Sequence, residues 1–309
     1  MKEVLLGPEK QERGKNTKVT FTFVRHSQKK SGNVFDGAGV SLSNLSIGGI
    51  DRAGQYGKKN LTDRKVNRAY ATEIDRTEET LRHALESAGI DIKVLQKKQG
   101  ASAFFELPIP EVDEADADPE INKKYVELMD KRKKEYINEH FPNANFKQLS
   151  SDEQEEIMEY AEEESVDWLV NEAKDKSGVL ISRFDATGVA FKVNRLLNLP
   201  DYMPGGRVID LVSSGHKTST EAFLKYALIQ DNGKHGLDSL EEIGGSLKIL
   251  DSWDLVVEND MSGHKKVSFV LKRENGSEQK FDLDLEEIKK LAGEYMEAKN
   301  IKAKKIDAI

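Results

Sequence analysis

The chain has 309 residues, of which 37% are hydrophobic and 33% are charged, and its formal net charge at pH 7 is −8. This length is sufficient to bury a hydrophobic core, and the negative charge argues against a general nucleic-acid binder or a protein that binds anionic membranes. The sequence contains no cysteine, which excludes disulfides, thiolate nucleophiles and cysteine-ligated zinc.

The amino-terminal segment, residues 1–17, is polar and is predicted to form a flexible leader without the apolar region of a signal peptide. The sequence has no stretch of roughly 18 consecutive apolar residues, which a membrane-spanning helix needs. We therefore expect a cytoplasmic protein that binds neither membranes nor nucleic acids.

The first predicted strand covers residues 18–26 and ends at an Arg-His pair. Val, Thr and Phe alternate along it, as is typical of a half-buried strand, and the polar residues 27–33 should end it. This prediction places Arg25 and His26 at the carboxyl end of a strand, where α/β sheets usually form their sites.

Strand-like and helix-like stretches alternate through most of the remaining chain. The last two predicted strands are joined by a segment containing Asn-Gly, which indicates a β-hairpin. The patterns predict helices over 45–61, 72–88, 122–140, 151–174, 186–197, 221–228 and 284–298, and strands over 66–71, 178–183, 207–214, 253–257, 267–272 and 279–283.

This alternation predicts an α/β fold, namely a three-layer α/β/α sandwich with a mostly parallel sheet, a helical insertion and a C-terminal β-hairpin plus helix. The acidic run Glu153–Glu164 within the insertion is interpreted as a solvated helix face, and a partner surface is less favoured. We expect one domain over residues 18–309, with a core at 18–118 and 177–230, the insertion at 119–176 and an extension at 231–309.

Three predicted junctions after strand-like segments carry arginine or histidine: Arg25-His26, Arg76-Thr77 and Gly215-His216. In a largely parallel sheet these junctions can meet at one edge. Arginine side chains bind phosphoryl oxygens bidentately, and the helix start near Arg76 adds backbone donors. One neutral imidazole can attack phosphorus while a second stabilises the transition state. These residue types therefore favour phosphoryl-transfer chemistry.

Four short segments surround these junctions and occur in order along residues 18–230. They are Arg25-His26-Ser27, 45–53, 72–80 and 212–216. They resemble the motifs of the histidine phosphatase superfamily, which includes the cofactor-dependent phosphoglycerate mutases. In the same order, the superfamily motifs are Arg-His-Gly, Leu-Thr-x-x-Gly-x-x-Gln-Ala, Ser-x-x-x-Arg-Thr-x-x-Thr, and a strand that ends in a small-residue turn and His. This sequence differs in carrying Ser27 in place of the glycine and Arg52 in place of the glutamine.

The resemblance implies that His26 is the nucleophile and forms a phosphohistidine, which water then hydrolyses. It also implies that Arg25 and Arg76 bind the phosphoryl oxygens and that His216 completes the anion pocket. We expect neither a cofactor nor a metal, because no cluster of carboxylates or histidines at ligand spacing accompanies the arginines.

Members of the superfamily also use a carboxyl group to protonate the leaving alcohol. Glu111, within Ile-Pro-Glu-Val-Asp, resembles this residue best, and Glu106 is the alternative. Ser27, Asn33 and Lys217 are further candidates for substrate binding. Because Lys217 directly follows the second histidine, it should add positive charge to the pocket, lower the imidazole pKa and favour polyanionic substrates.

We expect a phosphomonoesterase that acts on a phosphorylated small molecule or a phosphoprotein. The alternative is a non-catalytic module that binds a phosphorylated ligand or a protein, with the acidic helices at 119–176 as its partner surface. A mutase is less favoured, because the acidic-basic stretch around the mutase glutamate has no counterpart in this sequence. The sequence does not define the substrate, the role of the insertion or the oligomeric state.

Overall fold

The computed structural model describes residues 12–29, 44–72, 74–96 and 119–298. Its strands are β1 (Thr17–Arg25), β2 (Arg68–Tyr70), β3 (Leu95–Gln96), β4 (Val208–Gly215), β5 (Leu228–Ile229), β6 (Ser252–Asn259), β7 (Lys265–Lys272) and β8 (Glu278–Leu283). Its helices are α1 (Ile47–Asn60), α2 (Asp75–Ser87), α3 (Pro119–His140), α4 (Ser151–Asn171), α5 (Ile181–Tyr202), α6 (Lys217–Ala227) and α7 (Leu285–Ala298).

The sheet in the described part of the chain has the strand order β3-β2-β4-β1-β6-β7-β8-β5. Strands β3, β2, β4 and β1 pair in parallel, whereas the pairings from β1 onwards to β5 are antiparallel. The sheet is therefore mixed, and the prediction of a mostly parallel sheet is not confirmed. The reason is that short loops connect β6, β7 and β8, and short loops join antiparallel neighbours only.

Alternate side chains of β1 and β4 enter two separate hydrophobic clusters. Val19 and Leu211 belong to one cluster, and Val24 and Val212 belong to the other. Helices α5, α6 and α7 contribute to the first cluster, and α1 and α2 contribute to the second. Because successive residues of a strand point to opposite faces, the sheet lies between two helical layers, as predicted for a sandwich.

The predicted insertion consists mainly of α3 and α4, which pack against each other. Helix α4 also packs against α5 and α6, and its apolar residues Ile157, Ala161, Val166 and Val170 are buried. None of the helices in the described ranges combines the length and the apolarity that a membrane crossing requires.

The predicted strand at 178–183 is wrong. Leu180 forms only an isolated bridge with Lys174, and α5 already begins at Ile181. A short apolar run such as Val-Leu-Ile fits a strand and a buried helix equally well, so periodicity does not separate the two. Helix α5 also continues beyond its predicted end and includes Pro200 in its last turn.

The contact between α1 and α2 depends on a glycine. A Cβ atom at Gly57 of α1 would lie 1.9 Å from the backbone oxygen of Ala84 in α2, so the two helices would have to separate. We expect Gly57→Ala to lower the free energy of unfolding by about 1–3 kcal/mol, measured by urea denaturation.

Gly293→Ala in α7 is the matched control, because a Cβ atom at this position meets no other element within 4 Å. This change should raise the free energy of unfolding by about 0.4–1 kcal/mol, since it restricts the unfolded chain. Equal stability of the two variants would contradict the tight contact between α1 and α2.

Candidate active site

The candidate site lies where β1 and β4 end side by side. Arg25 is opposite Gly215 in the parallel register, and the amide of His26 donates to the Gly215 carbonyl at 3.1 Å. His216 comes next in the chain, and its ring centre lies 5.2 Å from that of His26, with the rings inclined at 63°. The register therefore brings two of the predicted junctions together at one edge of the sheet.

The imidazole of His26 is buried and held in one tautomer. Its Nδ1 lies 2.9 Å from the carbonyl oxygen of Ser27. A carbonyl only accepts, so Nδ1 carries the proton and the lone pair is on Nε2. Burial lowers the pKa of His26 well below its ordinary value of 6.5, and the charges of Arg76 and Arg25 add to this shift. His26 is thus neutral at neutral pH, with Nε2 able to act as a nucleophile.

Helix α2 brings the third junction to the same place. Arg76 lies in its first turn, and Nη2 of Arg76 is 3.3 Å from Nδ1 of His216. A guanidinium only donates, so Nδ1 of His216 accepts this hydrogen bond. The ring proton is therefore on Nε2, which lies 3.4 Å from the hydroxyl oxygen of Thr72. Burial, Arg76 and Arg25 lower the pKa of His216 to about 3, so this imidazole is also neutral at neutral pH.

Ser27 connects the end of β1 to α1 and α2. Its amide donates to the Thr80 hydroxyl at 2.9 Å, and its hydroxyl donates to the Gly49 carbonyl at 2.7 Å. Thr80 in turn donates to the carbonyl of Arg76 at 2.7 Å. The expected role of Ser27 in substrate binding does not fit these contacts, because its hydroxyl proton is used within the protein. The contacts instead fix His26 relative to Arg76.

Arg25 is 6% exposed and is held along one side of its guanidinium. Nη1 donates to the Glu159 carboxylate at 2.7 Å and to the Leu247 carbonyl at 2.6 Å. Nη2 lies 3.9 Å from the Glu162 carboxylate. Nε is buried and has no hydrogen-bond partner among the residues that the structure describes. One edge of this guanidinium is therefore fixed by the protein, whereas its Nε atom still lacks an acceptor.

Lys217 is buried and pairs with a carboxylate. It is the first residue of α6, which begins there rather than at 221, and its Nζ lies 2.7 Å from Glu162. The charges that lower the pKa of His216 come from Arg76 and Arg25. The expectation that Lys217 lowers the imidazole pKa is therefore wrong, because its charge is directed to Glu162.

An acidic stripe on α4, defined as Asp152, Glu155, Glu159 and Glu162, faces the segment that follows β1. The spacing of three and four residues places the four side chains on one face of the helix. At its start, Asp152 accepts from the side chain of Gln28 at 3.1 Å. The interpretation of Glu153–Glu164 as a solvated helix face is therefore wrong for Glu159 and Glu162, which pair with the buried Arg25 and Lys217.

The members of the stripe differ in their acidity. Burial and the neighbouring Glu159 raise the pKa of Glu155 to about 7. Burial alone would raise the pKa of Glu162, but the charges of Lys217 and Arg25 outweigh it, and the pKa is lowered. Glu162 is therefore a carboxylate at neutral pH, whereas Glu155 keeps a proton in part of the molecules.

A second buried carboxyl group, Glu221 in α6, supports the loop that binds Arg25. Its Oε1 accepts from the Ser246 hydroxyl at 2.6 Å and from the Leu247 amide at 2.5 Å. Leu247 is the residue whose carbonyl binds Nη1 of Arg25. Sequence reasoning missed Glu221, because an isolated glutamate in a helix gives no sign of the distant loop that it meets.

Three predicted site residues, Glu111, Glu106 and Asn33, lie outside the described residues, so their roles stay predictions. Within the described ranges, no group of three or more His, Asp or Glu side chains is arranged to hold a metal ion.

Solved structures that are similar to this chain include phosphatases, a phytase and a mutase. The Hafnia alvei phytase is 12% identical with a TM-score of 0.47, and the match covers 93% of this chain and 98% of that chain. A phosphoglycerate mutase from Bacillus anthracis is 14% identical with a TM-score of 0.41, covering 90% and 98%. The mycobacterial glucosyl-3-phosphoglycerate phosphatase is 13% identical with a TM-score of 0.41, covering 84% and 100%.

The chain resembles the histidine phosphatase superfamily. This resemblance is carried by the four sequence motifs at 25–27, 45–53, 72–80 and 212–216. No family model and no curated protein matches the sequence. Identities and TM-scores this low assign no residue role and no substrate to this chain, so the roles proposed for its residues depend on the geometry at the sheet edge.

The buried neutral imidazoles predict a pH-dependent stability. Between pH 6.5 and about 3, the unfolded chain protonates His216 and the folded chain does not, so this residue makes the protein less stable as the pH falls. His216→Gln should therefore weaken the dependence of the unfolding free energy on pH by up to about 1.4 kcal/mol per pH unit. Urea denaturation at pH 7, 6 and 5 measures this slope.

His140→Gln, on the exposed surface of α3, is the control for removing an imidazole without disturbing the site. The slope for this variant should remain that of the parent protein. If the His216→Gln protein and the parent have the same slope, His216 is not a buried neutral group.

Proposed function

We propose that this protein is a phosphomonoesterase that acts through a phosphohistidine on His26. The observation that carries this proposal is the neutral, tautomer-fixed imidazole of His26, placed 5.2 Å from the ring of His216 and beside Arg25 and Arg76. The substrate would be a phosphorylated small molecule or a phosphoprotein.

In the first step, Nε2 of His26 attacks phosphorus and the bond between phosphorus and the alcohol oxygen breaks. The leaving oxygen takes a proton from the carboxyl donor considered below, and the phosphoryl group is now bonded to Nε2. In the second step water attacks phosphorus and gives a proton to the same group, now a carboxylate, while the bond between phosphorus and nitrogen breaks and inorganic phosphate leaves. The guanidinium of Arg76 and the Nε2 proton of His216 would stabilise the charge on the phosphoryl oxygens in both steps.

Arg25 would bind the phosphoryl group through Nε, which is buried and has no acceptor among the described residues. A buried donor without an acceptor is costly, and a phosphoryl oxygen at Nε would remove that cost. Because Glu159 and Leu247 hold Nη1, the guanidinium is already oriented and loses little freedom on binding.

The proton donor for the leaving alcohol stays a prediction, with Glu111 first and Glu106 as the alternative. The structure adds Glu155 as a further candidate, because it belongs to the stripe that reaches Arg25 and its pKa of about 7 suits a donor at neutral pH.

A non-catalytic binding module is the second candidate function. The observation in favour of its protein-binding form is that Glu159 and Glu162 pair with Arg25 and Lys217, which reduces the positive charge offered to a phosphoryl group. The neutral state of both imidazoles favours the enzyme, since a module that only binds phosphate has no need of a nucleophile.

His26→Ala should abolish turnover of p-nitrophenyl phosphate, because the variant has no atom to accept the phosphoryl group. The parent protein is mixed with ³²P-labelled substrate, and the reaction is then quenched rapidly without acid. This should trap an acid-labile, base-stable phosphoenzyme in the parent protein and none in the variant. His83→Ala, a surface histidine of α2, should behave like the parent protein. An adduct that persists in His26→Ala would remove His26 from this role.

Arg76→Lys should bind phosphate more weakly and turn over more slowly, with little change in stability. Lysine keeps the charge but loses the planar fork that contacts two oxygens. Arg82→Lys is the matched control in the same helix, because Arg82 pairs with Glu78 one turn away. Calorimetric titration with inorganic phosphate measures the difference, and equal affinity of Arg76→Lys and the parent would contradict the assignment.

A further inference from the structure

One segment of the predicted C-terminal extension binds Arg25 at two points. The carbonyl oxygen of Leu247 accepts from Nη1 of Arg25 at 2.6 Å, and the carbonyl oxygen of Asp251 accepts from the Arg25 amide at 2.9 Å. Residues 246–251, here called the support segment, therefore contact both the side chain and the backbone of Arg25. None of the four sequence motifs includes this segment, so only the fold brings it to the site.

Arg273, which directly follows β7, holds the loop that leads into the support segment. Its Nη2 donates to the carbonyl of Gly245 at 2.9 Å and to that of Ile243, and its Nη1 donates to the carbonyl of Ser246 at 3.2 Å. The same Nη1 donates to the carboxylate of Asp251 at 2.8 Å. The side chains of Arg273 and Asp251 are 12% and 2% exposed, so this ion pair is shielded from water. One guanidinium thus connects both ends of the support segment.

The carboxylate of Asp251 closes the support segment into a turn. Oδ2 accepts from the Lys248 amide at 2.7 Å, and Oδ1 accepts from the Glu274 amide at 2.8 Å. Within the turn, the buried Leu250 has a φ of 60°, a left-handed conformation that is strained for a leucine. A residue keeps such a conformation only where its surroundings impose it. The contacts of Asp251 supply that constraint.

Helix α1 reaches the same group of residues through Arg52, which stands where the superfamily motif has glutamine. Nε and Nη2 of Arg52 donate to the Glu274 carboxylate at 3.0 and 2.7 Å. The amide of Glu274 in turn donates to Asp251. A glutamine has one donor nitrogen and no charge, so it cannot form this two-pronged contact. The replacement therefore ties α1 to the residues that hold the support segment.

We propose that Arg273 and Asp251 are positioning residues for the phosphoryl site. They hold the support segment so that its carbonyls fix Arg25, and Nε of Arg25 is then available to a phosphoryl oxygen. This inference rests on the proposed function. Small displacements of a group that binds the reacting phosphoryl oxygens are costly for affinity and rate, so the loss of these contacts should be felt at the site.

Arg273→Met should weaken the binding of inorganic phosphate by about tenfold, measured by calorimetric titration, and lower kcat/KM for p-nitrophenyl phosphate by a similar factor. The loss should be partial, because Glu221 still binds the Leu247 amide in this variant. Arg273→Lys keeps the charge beside Asp251 but has one donor nitrogen instead of the fork, so its loss should be smaller. This second variant carries the test if Arg273→Met does not fold.

A double-mutant cycle distinguishes positioning from a general loss of stability. Arg25→Lys removes the guanidinium that the support segment orients, so in this background the same change at Arg273 should alter phosphate affinity by less than about twofold. It should still lower the midpoint of urea denaturation in both backgrounds.

Arg183→Met is the control for the loss of an arginine that joins distant elements. Arg183 in α5 pairs with Glu287 and Glu294 of α7. This variant should lower the urea midpoint and leave phosphate affinity unchanged.

The outcomes separate this inference from the proposed function. Unchanged phosphate affinity in a folded Arg273 variant that turns over p-nitrophenyl phosphate would overturn the inference and retain the phosphatase. An equal weakening in the parent and Arg25→Lys backgrounds would also overturn it, since the effect would then not pass through Arg25. A weakening confined to proteins that keep Arg25, in a parent without turnover, would contradict the phosphatase and support the positioning role.

Discussion

The site depends on the parallel pairing of β1 with β4. This register places the backbone of His26 against Gly215, directly before His216, and a slip of one residue would send one imidazole to the opposite face of the sheet. Glycine is required at 215, because a Cβ atom there would lie 2.9 Å from the ring of Phe23. That ring is stacked on the buried Trp253, with 5.6 Å between the ring centres. The packing of Phe23 on Trp253 thus leaves no room for a side chain at the residue before His216.

Charge burial is the second constraint. Transferring Arg25 and Lys217 out of water is costly, and breaking a buried ion pair by removing one partner typically costs about 3–5 kcal/mol. Removing Glu159 or Glu162 alone would therefore leave a buried cation unpaired, while the intact pairs limit the positive potential of the pocket. The insertion and the site cannot be treated as independent parts, since the same ion pairs connect them.

The sequence predicts the strand ends well, because alternating apolar residues followed by Arg25-His26 or Gly215-His216 fix both the strand and its termination. It does not predict the position of α4. The spacing of Glu155, Glu159 and Glu162 is the same whether the stripe faces water or a buried arginine, and only the fold supplies the cations. The mixed sheet was missed because the predicted C-terminal hairpin, β7 with β8, was treated as an extension, whereas β6 joins it to β1 in one sheet through antiparallel pairs.

The two sides of Arg25 show how carboxylates can coexist with an anion-binding role. Glu221 holds the Leu247 amide, the Leu247 carbonyl holds Nη1, and Glu159 binds the same nitrogen. These contacts use one edge of the guanidinium and leave Nε without an acceptor among the described residues. A planar fork can serve two anions at once, whereas a single ammonium on a flexible stem has no second edge to present. The pairing with α4 therefore fixes the orientation of Arg25, and Nε is the atom through which the proposed phosphoryl contact would form.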